Sequence, residues 1–190
     1  MMDKKYPSST KVVVIGGGVI GCSVAYHLTK FGWKDVVLLE RDQLTSGTTW
    51  HAAGLVSQLG PSAAVTKIRK YTLDLYKNLE KEVDHSAGLR LNGALSIAQT
   101  DSRWQELKRQ ATTAQLYDVN LSILNKDEIK KKYQMMSTED LKGGVFMPGD
   151  GSADPSGVTH MLAKAVSYTH LRAHETREDL VWRLRLVKKK

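Results

Sequence analysis

The sequence has very little cysteine and no long apolar run. Its single cysteine, Cys22, cannot form a disulfide within the chain, and this favours a reducing intracellular compartment. No stretch of about 18 apolar residues is present, so we expect no membrane-spanning helix. Residues 1–11 lack the apolar segment of a secretion signal. We therefore predict neither a membrane protein nor a secreted disulfide scaffold.

Acidic residues are also in the minority, which makes nucleic acid the first partner to consider. The chain has 28 basic and 20 acidic side chains and a net charge of +8. Residues 166–190 alone contain seven of the basic and three of the acidic residues. The remaining charge is ordinary for a globular domain, so we predict no nucleic-acid partner.

The basic segment 166–190 has two interpretations. It has the composition of an amphipathic surface helix. However, VSYTHLRAHET is also the one-frame translation of a common transposase-based sequencing adapter, and an A-rich read terminus explains the final lysines. We favour the second interpretation and treat residues 166–190 as a non-native tail. On this interpretation the native sequence departs from the printed one near Ala165, within a domain, and residues 1–165 are an N-terminal fragment.

What is present is the composition of a folded domain. The 190 residues are 41% hydrophobic and 25% charged, which excludes disordered and collagen-like proteins. Lys11–Ile15 is a short β-branched run typical of a buried parallel strand, and Val36–Leu39 is a second one. The apolar spacing between them predicts a helix from Val19 that ends at Gly32. Residues 11–40 therefore predict a βαβ unit.

Beyond this unit the periodicity is weaker. Residues 41–61 predict a long functional loop that leads into a short helix, and residues 62–84 predict a helix with Ile68, Leu75 and Leu79 on one stripe. Further elements are predicted as a strand at 93–99, a helix at 101–117 with Asp101 as its N-cap, an edge strand at 120–124, a helix at 126–133, a strand at 143–147, and a helix from Pro155 capped by Asp154.

The first strand is followed by a glycine pattern with a specific physical meaning. Gly16, Gly18 and Gly21 form G-x-G-x-x-G, and Glu40 lies 19 residues after the last of them at the end of the second strand. The glycines allow a tight turn, a close approach to a pyrophosphate and close helix–strand packing, while the acid accepts ribose hydroxyls. The pattern does not separate NAD from FAD, and Glu40 argues only against NADP. A glycine-rich turn in an α/β protein that binds no nucleotide is the alternative.

Residues 40–55 add a family resemblance. Glu40-Arg41 and the run Leu44–Leu55 (LTSGTTWHAAGL) resemble sarcosine and dimethylglycine dehydrogenases, which are D-amino-acid-oxidase-like FAD oxidoreductases. The resemblance extends from Val12 to about Ala165 and includes GALSIAQ and the loop PGDGSADP. It implies an α/β fold: a truncated, doubly wound Rossmann-type FAD domain with the start of an α+β substrate domain. The implied boundaries are a tail at 1–10, the first part of the FAD domain at 11–88, and the start of the substrate domain and return towards the FAD domain at 89–165.

The resemblance implies FAD as the cofactor, joined covalently to His51. Histidine suits this role because an unperturbed imidazole is largely neutral at cellular pH. Without the family, a histidine beside Trp50 reads as a structural residue. Thr48 and Thr49 are either phosphate donors or turn formers. The implied cofactor-binding residues are Gly16, Gly18, Val19, Ile20, Gly21, Glu40, Arg41, Gly47, Thr48, Thr49, Trp50, His51, Ala52, Ala53, Gly54 and Leu55.

The implied reaction is oxidation of an N-methyl amino acid, sarcosine or dimethylglycine, by hydride transfer to the flavin. Formaldehyde then leaves, or tetrahydrofolate captures the one-carbon unit in a C-terminal domain that this chain lacks. An electron-transfer flavoprotein or a similar acceptor takes the electrons. The location is the mitochondrial matrix in a eukaryote, although no presequence is visible, and the cytoplasm otherwise. Catalytic residues cannot be assigned before Ala165, so we expect the 190-residue chain alone to be inactive.

Two rival functions stay open. One is a non-catalytic relative, like the regulatory subunit of pyruvate dehydrogenase phosphatase, and the other is an amine or amino-acid oxidase with non-covalent FAD. No metal site is predicted, because Gly149, Gly151 and Pro155 make Asp150 and Asp154 typical of a turn and a helix cap. Cys22 is interpreted as a small core residue rather than a nucleophile.

Overall fold

The computed structural model describes residues 9–172 and 184–186. These residues form two compact units, described separately below. The first contains residues 9–54, 76–88, 154–172 and 184–186, and the second contains residues 55–75 and 89–153. The assignment of these segments to an FAD domain and a substrate domain stays a prediction.

The first unit begins with the βαβ motif that the sequence predicts. Strand β1 (Val12–Ile15) pairs in parallel with β2 (Val36–Glu40), and helix α1 (Val19–Lys30) connects them. Gly32, at φ +88°, ends α1 in the left-handed conformation, and the N–H groups of Gly32 and Trp33 donate to the carbonyls of Thr29 and Leu28. This is the Schellman pattern, in which a glycine satisfies the last carbonyls of a helix.

The two strands differ in burial. Val36, Val37 and Leu38 of β2 are buried, whereas Val13 and Ile15 of β1 are exposed. The expectation that the first strand is buried was therefore wrong for one of its faces. The sheet order is β1-β2-β8, with β8 (Leu184–Leu186) parallel to β2, so β1 lies at an edge of the described sheet.

Helix α5 (Pro155–Arg172) packs against α1. Asp154 caps it, as predicted: its carboxylate accepts the N–H groups of Ser156 and Gly157 at 3.1 and 3.0 Å. Val158, Met161 and Leu162 of α5 are buried. The helix continues past Ala165, and the origin of residues 166–190 stays a prediction.

Helix α2 (Ala63–Glu82) corresponds to the predicted helix 62–84, but the stripe is corrected. Leu75 and Leu79 are buried, whereas Ile68 is 64% exposed. Thr66 is instead fully buried, because its hydroxyl accepts the N–H of Gly60 and donates to the carbonyl of Ser62. A local hydrogen bond thus turns a polar residue inward, which hydrophobic periodicity does not register.

The second unit is built on an antiparallel sheet of order β4-β6-β5, comprising β4 (Ala94–Ala98), β6 (Gly143–Met147) and the predicted edge strand β5 (Ser122–Leu124). Its core contains Ala98, Leu107 and Val145, against which Trp104 and Leu121 pack. Helices α3 (Asp101–Leu116) and α4 (Lys126–Lys132) complete it.

Two details of this unit differ from prediction. The N-cap of α3 is Thr100, whose hydroxyl accepts the N–H of Arg103 at 3.2 Å, and Asp101 lies in the first turn. Aspartate caps slightly better than threonine on average, but both residue types cap well, so residue type alone does not separate the two neighbouring positions. The predicted loops also contain a two-stranded antiparallel ribbon of β3 (Leu55–Val56) and β7 (Gly151–Ser152). Strands of two residues carry too little pattern to be recognised in a sequence.

Among the residues that the structure describes, no helix has both the length and the apolar character needed to cross a bilayer.

Candidate functional site

The glycine turn between β1 and α1 has the close packing that its sequence pattern predicts. Gly16 has φ +108°, a conformation that side chains rarely adopt. A Cβ at Gly21 would lie 1.9 Å from the carbonyl oxygen of Gly16, so only glycine fits there. The first amides of α1 have no intrahelical carbonyl partner, and together with the helix dipole they favour anions at this end.

Glu40 is bonded directly to this turn. Its Oε2 accepts the N–H of Gly17 at 2.6 Å, and its Oε1 accepts the N–H groups of Arg41 and Asp42 at 2.8 and 3.2 Å. The bond from Gly17 is the main cause that lowers the pKa of Glu40, and the two other amides and the Arg41 charge add to it. Glu40 is therefore held as a carboxylate at the end of β2, beside the glycine turn.

The N-terminus of α1 contacts the predicted functional loop 41–61. The N-cap residue, Gly18, has no side chain that could accept an N–H group of the helix. The N–H of Val19 instead donates to Oγ1 of Thr49 at 3.0 Å. Thr49 thus acts here as an acceptor for a backbone amide, a role that the sequence did not suggest. The phosphate-donor interpretation of Thr48 and Thr49 stays a prediction.

The short helix lies in the middle of the predicted loop 41–61, as a 3-10 turn at Thr49–His51, rather than at the end of the loop as predicted. Its Trp50 and His51 rings stack with centroids 3.8 Å apart and a tilt of 34°. The indole is 57% exposed, and the imidazole is exposed as well. Helix α5 packs against this turn within the same unit.

Thr45 is a site residue that sequence reasoning missed. Its N–H donates to the carbonyl of Gly17 at 3.1 Å, and its hydroxyl accepts the hydroxyl of Ser156 at 3.5 Å. It reaches this position at φ +72°, which is unfavourable for a β-branched residue. The sequence gives no signal for the role of Thr45, because β-branched residues such as threonine are rarely found at a positive φ.

The structure brings together only part of the predicted set. Gly16, Gly18, Val19, Gly21, Glu40 and Thr49 lie around one turn in the first unit, and Ile20 is exposed in the first turn of α1. The remaining loop residues are less constrained: Arg41, Gly47, Thr48, Ala52 and Ala53 are exposed, and Gly54 has φ +70°. Leu55 belongs to the second unit, where it pairs with Ser152.

Cys22 is a core residue, as predicted. It is fully buried on α1, and its thiol donates to the carbonyl of Gly17 at 3.8 Å. Burial, together with the nearby charge of Glu40, raises the pKa of the Cys22 thiol to about 12. A thiol with that pKa is almost never a thiolate at neutral pH, so it is a poor nucleophile.

Asp150 of the second unit is the other missed residue. It is only 1% exposed, its Oδ1 accepts the N–H of Gln58 at 2.9 Å, and its Oδ2 has no hydrogen-bond partner among the described residues. Burial raises the pKa of Asp150, although the Gln58 bonds and the Arg69 charge oppose this. Arg69 secures the same segment by donating to Ser57 and Leu59. Asp150 therefore fastens the end of the β3–β7 ribbon rather than a turn alone.

In the part of the chain that the structure describes, no group of three or more His, Cys, Asp or Glu side chains is close enough to hold a metal ion.

Comparison with curated proteins confirms the family resemblance. The chain is 43% identical over 162 residues to mitochondrial sarcosine dehydrogenase of Homo sapiens, covering 85% of this chain and 18% of that protein. It is 36% identical over 159 residues to mitochondrial dimethylglycine dehydrogenase of Rattus norvegicus, covering 84% and 19%. It is also 33% identical over 169 residues to the mitochondrial pyruvate dehydrogenase phosphatase regulatory subunit of Mus musculus, covering 89% and 19%. The chain thus spans about a fifth of these relatives.

Comparison with solved structures supports the predicted fold. L-Proline dehydrogenase from P. horikoshii matches with a TM-score of 0.79 and 24% sequence identity, covering 86% of this chain and 43% of that one. The mixed helix and strand architecture is therefore that of the N-terminal portion of an FAD-binding fold. The family described as FAD dependent oxidoreductase, DAO, matches residues 11–185. The chain belongs to the DAO family of FAD-dependent oxidoreductases.

Proposed function

We propose that the protein to which this chain belongs is an FAD-dependent dehydrogenase that oxidises an N-methyl amino acid, sarcosine or dimethylglycine. The chain spans 18% of human sarcosine dehydrogenase, so the activity is proposed for the whole protein. The relatives at 43% and 36% identity bear the names of these two dehydrogenases. They support amine oxidation as the class without separating the two substrates.

One observation carries the proposal: the glycine turn, Glu40 and the turn that holds His51 lie in one unit and are bonded to each other. Glu40 accepts the N–H of Gly17, and Thr49, two residues before His51, accepts the N–H of Val19. The proposed dinucleotide-binding turn and the exposed imidazole of His51 therefore belong to the same hydrogen-bonded segment of the first unit, which supports a shared ligand.

The residues present fit FAD. The missing side chain at Gly21 allows the tight turn, since a Cβ there would meet the carbonyl of Gly16 at 1.9 Å. The N–H of Val19 is occupied by Thr49, but the amides that follow it and the positive dipole end at the start of α1 are suited to a pyrophosphate. The lowered pKa keeps Glu40 ionised as an acceptor for ribose hydroxyls. The residues proposed to hold the cofactor are Gly16, Gly18–Gly21, Glu40, Arg41 and Gly47–Leu55.

His51 is proposed as the covalent link to the flavin. Its imidazole is exposed and its ring is oriented by the stacked indole of Trp50. When bound, FAD supplies the redox chemistry by accepting a hydride equivalent from the N-methyl carbon of the substrate. The residues of this chain bind and orient, and those that hold the substrate are proposed to lie beyond it.

The proposed partners follow from this reaction. The substrate is a small N-methyl amino acid, and the electrons pass to an electron-transfer flavoprotein or a similar acceptor. A tetrahydrofolate site is proposed for the part of the protein outside this chain. The sarcosine and dimethylglycine dehydrogenases that resemble this chain are described as mitochondrial. This supports the mitochondrial matrix as the proposed location if the protein is eukaryotic.

Acid precipitation of the intact protein tests the cofactor. We expect a yellow pellet whose flavin fluoresces after denaturation, and a His51→Ala variant whose flavin stays in the supernatant. Steady-state turnover with sarcosine and with dimethylglycine, with an artificial electron acceptor, then assigns the substrate. A yellow supernatant from the unmodified protein contradicts the covalent link and indicates an oxidase with dissociable FAD.

A second candidate function is regulation without catalysis, which the 33% identity to the phosphatase regulatory subunit favours. His51, which we expect such a relative to lack, argues against it. An intact protein that contains no flavin and turns over neither amine would support the regulator and exclude the dehydrogenase.

A further inference from the structure

The turn that contains His51 is joined to the glycine turn by one side chain. Oγ1 of Thr49 accepts the N–H of Val19 at 3.0 Å across 30 residues of sequence. The turn itself is closed by two backbone bonds, from His51 to the carbonyl of Thr48 and from Ala52 to the carbonyl of Thr49. His51 is therefore two residues from the attachment point, with little backbone freedom between them.

Gly18 provides the space for this attachment. A Cβ at Gly18 would lie 2.8 Å from Oγ1 of Thr49, closer than real Cβ contacts. The φ of Gly18 is −81°, a value open to any residue, so its backbone does not require glycine. The lack of a side chain at this position therefore serves the approach of Thr49 as well as that of any ligand.

The loop before the His51 turn is also bonded to the glycine turn. The N–H of Thr45 donates to the carbonyl of Gly17 at 3.1 Å, and the hydroxyl of Ser156 on α5 donates to the Thr45 hydroxyl at 3.5 Å. The segment from Thr45 to Thr49 thus begins and ends on the glycine turn. Two attachments on a short loop restrict where its next residues lie.

We propose that Thr49 is a positioning residue for the attachment of flavin to His51, and that Gly18 makes its position possible. This rests on the proposed function. In the attachment the imidazole of His51 loses its N–H proton and forms a nitrogen–carbon bond to the 8α carbon of the flavin, whose methyl group loses one proton. The electron pair released remains in the flavin ring as its two-electron reduced form, and dioxygen, as the oxidant, takes it up and becomes hydrogen peroxide.

Thr49→Val and Thr49→Ser in the intact protein form the matched test. Valine has the shape of threonine but accepts no hydrogen bond, whereas serine keeps the hydroxyl. Apoprotein is mixed with FAD in air, and the flavin fluorescence of the denatured, acid-precipitated protein is followed over time. The His51→Ala variant, which lacks the proposed attachment point, gives the background fluorescence. We expect Thr49→Val to slow the attachment about five- to tenfold, the effect of one lost hydrogen bond, and Thr49→Ser to retain most of the rate.

Total bound flavin, measured before denaturation, keeps the outcomes distinct. Support requires that Thr49→Val still binds FAD while its covalent fraction rises slowly. The proposal is overturned if Thr49→Val attaches flavin at the original rate, if both variants lose it equally, or if Thr49→Val binds no flavin at all, since the role is then one of general binding. If the unmodified protein attaches no flavin, the covalent part of the proposed function fails as well, and this result differs from the others.

Discussion

The carboxylate of Glu40 accepts the backbone N–H of Gly17 at 2.6 Å, which joins the end of β2 to the glycine turn. Its other oxygen accepts the amides of Arg41 and Asp42. Because a carboxylate has about four acceptor positions, three backbone bonds leave room for a ribose hydroxyl. The same residue thus stabilises the turn and retains an acceptor position that the proposed ligand could use.

The first prediction concerns the pH dependence of stability. The pKa of Glu40 is lowered in the folded protein, so the unfolded state binds more protons in acid. Its contribution to the free energy of unfolding is present above the ordinary glutamate pKa of about 4.3 and is lost as the pH falls through the folded pKa. Urea denaturation over about three pH units, from about pH 6 to about pH 3, measures this contribution. The free energy of unfolding should fall less on acidification for Glu40→Gln than for the unmodified protein.

The exposed Glu82 of α2 provides the control for this measurement. Glu82→Gln should follow the unmodified protein throughout. An acid loss that is the same in Glu40→Gln as in the unmodified protein contradicts the role of the Gly17 bond.

The second prediction compares two glycines. Gly21→Ala places a Cβ 1.9 Å from a backbone carbonyl oxygen. We expect the free energy of unfolding to fall by about 2–3 kcal/mol, and we expect the variant to bind less flavin. Gly32→Ala meets no atom within 4 Å and suffers only the strain of φ +88°, so it should lose about 1 kcal/mol and keep the flavin. Urea denaturation and the flavin-to-protein absorbance ratio measure both. Equal flavin binding by the two variants is the contrary outcome.

The third prediction concerns Asp150. Its pKa is raised in the folded state, so its stabilising contribution is present below the ordinary aspartate pKa and falls as the pH rises through the folded pKa. Asp150→Asn keeps an acceptor for the Gln58 N–H without the charge. The stability of Asp150→Asn relative to the unmodified protein should therefore increase from pH 4 to pH 8, a range of about four units.

Asp150→Ala separates the charge from the hydrogen bond. It leaves the N–H of Gln58 without its acceptor and should be about 1–2 kcal/mol less stable than Asp150→Asn at every pH, because neither variant titrates at this position. If the relative stability of Asp150→Asn does not change with pH, the buried carboxyl is not the titrating group that we infer.

The fourth prediction concerns Cys22, the chain's only thiol. With a pKa of about 12 and full burial, it should not react with a thiol reagent such as dithionitrobenzoate while the protein is folded at neutral pH. After addition of guanidinium chloride, one thiol per chain should react. Rapid labelling of the folded protein would mean that the start of α1 is open.

The part of the candidate site that the sequence could predict is the part whose physics is local, and its role in binding a cofactor stays a prediction. Gly16, Gly18, Gly21 and Glu40 were recognised because a tight turn after a strand and an acid after the next strand recur at fixed spacings. The Thr49–Val19 bond was not recognised, since 30 residues separate its partners, and Asp150 was missed because Gln58 lies 92 residues away. Such pairs leave no periodic trace in a single sequence.

The sequence by itself determined the βαβ unit, the end of α1 at Gly32 and the cap of α5 at Asp154, because hydrophobic period and capping chemistry act over a few residues. Only the tertiary structure decided that Ile68 is exposed, that β1 leaves Ile15 uncovered, and that Thr49 holds the His51 turn against α1. These depend on which distant segments meet, and burial and hydrogen bonding are properties of that meeting rather than of either segment alone.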